Sequence, residues 1–188
     1  ALAMGVDEAI LVDAPDNLDS YQTAKAIKGA IEKSGKTADL ILTGKQAIDD
    51  DCLQVPQLLA QLMELPSISV VVGFEGTGSD LTLRREVEGG AIEVYKTSGP
   101  CVVACNKGLN SPRYASLPGI MKAKKKPLAI HSLTDIGVNQ DDVRVKYSNF
   151  VLPPEKPAGK KFEAMEEGQQ AAVVAEVVGL LRTEAKVL

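Results

Sequence analysis

From Ala9 to Met63 the chain alternates short apolar runs with helix-period segments, and this order restricts the fold more than any other feature. Ala9 to Val12 reads as a buried strand closed by the turn Asp13-Ala14-Pro15. Leu18, Tyr21, Ala24, Ile27 and Ile31 then fall on one helical face. Asp16 or Asp19 can cap that helix, which runs to about Ser34 and ends at Gly35. Asp39 to Thr43 is a second apolar run, read as another buried strand, followed by the loop 44–51 and a helix over about Gln54 to Met63. Pro56 fits that helix only in the first turn, where its missing N–H is not needed. Strand, helix, strand, loop, helix predicts a parallel sheet covered by helices.

The middle changes character. Ser67 to Val72 alternates weakly, and Leu81 to Val87 alternates clearly before Glu88-Gly89-Gly90 turns the chain into Ala91 to Lys96. This predicts a β-hairpin inserted in the α/β domain. Pro100 to Ala104 is a further buried strand that leads into Asn110 to Lys126. There Pro112 and Pro118 flank Leu117, and Lys122, Lys124, Lys125 and Lys126 follow. The prolines predict a stiff loop that carries Leu117 outward with a cationic collar behind it. Such an anchor loses little entropy on docking. The alternative is that Leu117 tucks into its own core and the lysines are a solvated face.

Residues 1–150 read as the α/β domain, 151–161 as a Pro-rich linker, and 162–188 as a helical arm. In the arm, over about Gln169 to Val187, Val173, Val174, Val177, Val178, Leu180 and Leu181 form a broad apolar stripe that must be buried on this domain or on a partner. At 45% apolar residues the 188-residue chain can build an ordinary core. A net charge of -4, aromatics at 4% and no Trp argue against nucleic-acid binding. The lysine run is therefore a local feature suited to orienting an acidic partner. Cys52, Cys101 and Cys105 match no standard zinc or redox spacing and suit a reducing compartment. Neither a membrane span nor a signal peptide is expected.

Catalytic patterns are sparse. His131 ends an apolar run without a nearby carboxylate in sequence, and the chain has no Walker loop, dinucleotide fingerprint or Gly-x-Ser-x-Gly turn. The strand ending at Gly44, with a helix start near Gln54, has the generic geometry of a nucleotide site. Asp49, Asp50 and Asp51 stand against a phosphate there unless they point away or bind Mg²⁺. Binding without bond-making fits this inventory better than hydrolysis or group transfer.

Three segments together resemble the β subunit of electron transfer flavoprotein. GKQAIDDD (Gly44 to Asp51) is similar to that family's nucleotide loop. RREVEGG (Arg84 to Gly90), followed by Pro100 to Ala104, resembles its signature hairpin and strand. RYASLPGIMKAKKKP (Arg113 to Pro127) resembles its partner-recognition loop. The likeness extends less densely from Ala1 to about Val138. It implies a Rossmann-like, adenine-nucleotide-hydrolase-type fold and a heterodimer whose α subunit holds the redox-active FAD. It implies no catalytic residues. Electrons from acyl-CoA dehydrogenases of fatty-acid β-oxidation would enter that FAD and pass toward a quinone oxidoreductase of the respiratory chain. The compartment implied is the mitochondrial matrix, or the cytoplasm in a prokaryote.

By position, Gly44, Lys45, Gln46, Asp49, Asp50, Asp51, Cys52, Leu53, Gln54 and Val55 would surround AMP. Arg85 and Glu86 would lie near the FAD. Arg113, Tyr114, Leu117, Pro118, Ile120, Met121 and Lys122 would meet the dehydrogenase, with Leu117 as the inserted anchor. Two departures stand out. The family loop continues D-D-D-x-N-Q-T-G, whereas here Cys52-Leu53-Gln54-Val55-Pro56 keeps only the glutamine of the polar trio. The opening Ala1-Leu-Ala-Met-Gly5 also resembles the middle of a family member, so the first strands, expected at the sheet centre, are missing. These departures motivate a second reading, a nucleotide-free structural subunit. A third is a bifurcating relative with a second FAD in the AMP site.

Overall fold

A computed structural model describes residues 1–49, 51–77, 80–156, 158–164 and 168–188. Residues 1–146 and 147–188 form two units. Among the described residues the first unit holds seven strands: β1 (Ala9–Asp13), β2 (Leu40–Gly44), β3 (Ser67–Thr77), β4 (Asp80–Glu86), β5 (Ile92–Ser98), β6 (Cys101–Cys105) and β7 (Leu128–Ser132). Its helices are α1 (Ser20–Lys33), α2 (Val55–Leu62) and α3 (Leu117–Ala123), joined by 3-10 turns at Leu2–Met4, Glu88–Gly90 and Thr134–Ile136. The second unit contains α4 (Gln169–Thr183). Among the described residues no helix is long and apolar enough to cross a membrane.

The α/β class, the parallel strands, the inserted hairpin and the C-terminal helix are all present. The sheet comes in two pieces. Among the described residues β1 pairs, in parallel, with β7 alone, from Ala9 opposite Leu128 to Asp13 opposite Ser132. The other five strands run in the order β2-β6-β3-β4-β5. β2, β6 and β3 are parallel, while β3-β4 and β4-β5 are antiparallel. β3 makes that change through a register shift between Ile68 and Val71, where Val70 takes φ +59°. A bulge bends a strand and raises its twist, which lets one strand serve a parallel and an antiparallel neighbour.

The main core is Ile68, Val71, Leu81, Leu83, Cys101 and Val103, with Leu40, Phe74, Cys105 and Leu109 packed around it. β6 is buried through Ala104 as its unbroken apolar run predicts. β1 and β2, expected to be buried, are not. Leu11 is half exposed and Leu42 is exposed, because each strand has a neighbour on one edge only among the described residues. α1 begins at Ser20 with Asp19 as its cap, and Gly35 follows its end. The residues it buries are Gln22, Ala24, Ala26, Gly29 and Ala30. Of the expected face, only Ala24 is buried, while Leu18, Tyr21, Ile27 and Ile31 are half-buried. Small side chains let α1 lie close to its neighbours, and close approach outweighs the larger apolar stripe.

Candidate functional sites

β2 ends at Gly44, and the Lys45 N–H donates to the Cys105 carbonyl at 2.9 Å, so the loop leaves from beside the carboxyl end of β6. A cleft of about 320 Å³ opens there, lined by Thr43 to Ala47 and Cys52 to Pro56, with Ser20 and Ile27 behind. Asp51 and Leu53 take φ +52° and +51°. Gln54, which caps α2 without a side-chain bond, is right-handed. Leu53 and Gln54 thus turn two successive backbone N–H groups toward one side, a concavity suited to an anion. The Thr43 hydroxyl oxygen is enclosed in this cleft and has no hydrogen-bond partner. Lys45 also lines it. Asp49 and Asp51 are exposed, and Asp50 lies outside the described residues.

Leu53 and Val55 bring no side-chain donor, and Pro56 brings no N–H. The polar equipment of the cleft is therefore backbone, the Lys45 ammonium and the side chains of Ser20, Gln46 and Gln54, with the Thr43 hydroxyl enclosed behind them. That set fits the phosphate of a nucleotide at the positive end of α2.

The hairpin carries a second set. Val87 N–H donates to the Ala91 carbonyl across the reversal at 3.0 Å. Arg84 pairs with Glu75 at 2.9 Å and Arg85 with Glu93 at 3.3 Å, each from a neighbouring strand. The Tyr95 hydroxyl donates to the same Glu93 carboxylate at 2.8 Å. Glu86 accepts from the Asn106 amide at 3.4 Å. The Nε of Arg85 is enclosed without an acceptor. A buried unpaired donor on a charged group is costly, and a shift of the side chain that gave this atom an acceptor would relieve that cost.

The segment around Leu117 differs from the expected loop. It is the start of α3, capped by Ser116, whose Oγ accepts from the Gly119 N–H at 3.2 Å. Pro118 falls in the first turn, where a helix needs no N–H, so the proline that seemed to stiffen a loop starts a helix instead. The cap was legible in Ser116 followed by Leu117-Pro118. Leu117 is 73% exposed, which rules out a place in its own core. Ile120 and Met121, three and four positions on, share its face at 45% and 64% exposure, and Tyr114 stands at 92% just before the cap. Arg113, Pro118 and Lys122 are exposed beside them. The result is an apolar patch with a basic flank.

Sequence reasoning missed the network at the start of α1. Asp19 is buried and accepts from the N–H groups of Gln22, Arg144 and Val145 at 2.8, 2.6 and 3.0 Å. The Gln22 side chain reaches back to Asp19 N–H and across to the Gln140 carbonyl at 2.7 Å. Asp-x-x-Gln was a readable capping box, but its reach to residues 140–145 left no local trace.

A family profile described as the electron transfer flavoprotein domain matches residues 1–136. The chain is 42% identical to the electron transfer flavoprotein subunit beta of Bacillus subtilis, over 100% of its own length and 72% of the relative's. It is 43% identical to the subunit beta of Bradyrhizobium diazoefficiens, over 100% of this chain and 70% of that one. Against the human subunit beta the figures are 39%, 89% and 66%. The chain thus spans roughly two thirds to seven tenths of the length of these relatives. With the profile covering most of it, the chain belongs to the electron transfer flavoprotein family, on the side of its β subunits.

Proposed function

We propose that this chain works as the β subunit of a heterodimeric electron transfer flavoprotein. In this reading α3 docks a reduced acyl-CoA dehydrogenase, and electrons pass to an FAD carried by the α subunit. From there they go on to a quinone oxidoreductase. FAD supplies the redox chemistry when bound; the chain's own part is to hold and orient. Arg85 is the hairpin residue that would meet the flavin side, with Glu86 alongside. The cleft at Gly44 to Val55 would hold AMP as a structural ligand, its phosphate on the Leu53–Gln54 backbone and Lys45.

The observation that carries the proposal is Leu117, held out on a capped helix with Ile120 and Met121 on the same face. A single exposed leucine is ordinary on a folded chain, but Leu117 at 73% exposure shares one helical face with Ile120 and Met121, and a contiguous apolar patch of this kind marks an interaction surface. A pocket on a partner that covered it would gain about 1.5–3 kcal/mol. Leu117→Ala in the heterodimer should therefore lower kcat/KM for reduction by an acyl-CoA dehydrogenase by roughly tenfold or more. The flavin content and circular dichroism of the heterodimer should not change. Undiminished reduction by the dehydrogenase would sink the docking role.

A further inference from the structure

The four lysines at the end of α3 do two different jobs. Lys122, Lys124 and Lys125 are exposed, whereas Lys126 is half-buried. Its ammonium group donates to the carbonyl of Leu2 at 3.2 Å and to that of Val6. Those two carbonyls belong to the N-terminal segment that folds as the 3-10 turn Leu2–Met4 and leads into β1. At the other end of α3, Gly119 lies against the same turn. A Cβ built on Gly119 would stand 2.5 Å from the Ala3 carbonyl oxygen, which is closer than any real side chain comes.

α3 has seven residues and none of them is buried. A helix that short is not stable alone, and this one has no apolar face in a core to fix its direction. What fixes it is contact with the backbone of residues 2–9: Gly119 against Ala3 from one side, the Lys126 ammonium on Leu2 and Val6 from the other, and the Ala9 N–H bonded to the Pro127 carbonyl just beyond at 3.1 Å. We infer that Lys126 is a positioning residue that locks α3 onto the N-terminal turn and so sets the direction of Leu117. The lysines that steer an acidic partner are then Lys122, Lys124 and Lys125. This inference rests on the docking role proposed for Leu117, but the lock is a statement about this chain alone.

The two kinds of lysine give different signatures. An exposed steering charge acts through the long-range field and is screened by salt, while a lysine bound to backbone carbonyls keeps its charge and in addition holds the backbone at contact distance. Lys126→Gln should speed amide exchange in residues 2–6 and 117–123 of the full chain. In the heterodimer it should lower kcat/KM for reduction by an acyl-CoA dehydrogenase about tenfold, and the loss should persist at high salt, where steering is screened. Gly119→Ala should speed exchange in the same two segments. Lys124→Gln should flatten the salt dependence and leave the exchange pattern as in the parent. Parental exchange in Lys126→Gln, or a loss of kcat/KM that vanishes at high salt as in Lys124→Gln, would overturn the assignment. If Leu117→Ala leaves electron uptake intact, the docking role fails, and the exchange measurements still decide whether Lys126 holds the helix.

Discussion

Asp19 shows what one residue can hold together. Burial by itself pushes its carboxyl upward, but the N–H groups of Gln22, Arg144, Val145 and Tyr21 favour the charged form and bring it below the usual 3.8. A carboxyl depressed in the folded state adds stability above its unfolded value, and that stability is lost as pH falls through the folded one. Asp19→Asn keeps an oxygen for one N–H but loses the charge. It should cost about 2 kcal/mol at neutral pH, read as a lower urea midpoint with an unchanged slope. The gap between parent and variant should close in strong acid, where Asp19 is protonated. A gap of constant size down to that pH would mean that packing, not charge, was lost. The sequence offered Asp16 and Asp19 equally as caps. The capping box with Gln22 favours Asp19 locally, but its burial under the segment 144–145, more than a hundred residues away, is carried by no local pattern.

Helix ends show where local chemistry is readable and where it is not. α1 stops in the expected way: Gly35 takes φ +69° and its N–H returns to the Glu32 carbonyl at 3.1 Å. α2 closes by the same device without the glycine. Leu65 N–H reaches the Ala60 carbonyl at 2.9 Å, Glu64 N–H reaches Gln61 at 3.2 Å, and Glu64 sits at φ +56°. An L-residue in that conformation carries roughly 1–2 kcal/mol of strain, partly offset by the larger entropy a glycine loses on folding. Glu64→Gly should therefore stabilise the chain by about 0.5–1 kcal/mol, and a lower urea midpoint would contradict this reading. Glutamate gives no signal of such an end, so the sequence could mark Gly35 but not this one. α3 failed in the opposite sense. Its prolines read as loop stiffeners because each was weighed alone, whereas Ser116 and Pro118 together make a helix start.

At the scale of the molecule, the pattern from Ala9 to Met63 announced parallel strands and covering helices, and the Glu88 to Gly90 reversal announced the hairpin. It did not announce that β1 and β2, joined by α1, would lie in different sheets, since apolar runs specify strands and not their neighbours. The division has a consequence for stability. β6 is paired on both edges and buried from Cys101 to Ala104. Among the described residues β1 and β7 pair only with each other, none of their residues is buried, and Val12 alone of β1 packs against the small cluster of Ala26, Leu133, Ile136 and Val138. A two-stranded sheet with so little packed on it is marginal in water. The nucleotide-like cleft and the hairpin stand on the five-stranded sheet, while α3 is held between the N-terminal turn before β1 and the start of β7. The helix proposed to dock a partner therefore belongs to the softer half, where local opening is cheapest. Native-state amide exchange should find Val102, Val103 and Ala104 opening only with global unfolding. Amides of Ala9–Asp13 and Leu128–Ser132 should open at much lower free energy, together with residues 117–123. If β1 and β7 exchanged as slowly as β6, the two sheets would be one cooperative unit, and the orientation of Leu117 would be as rigid as the core.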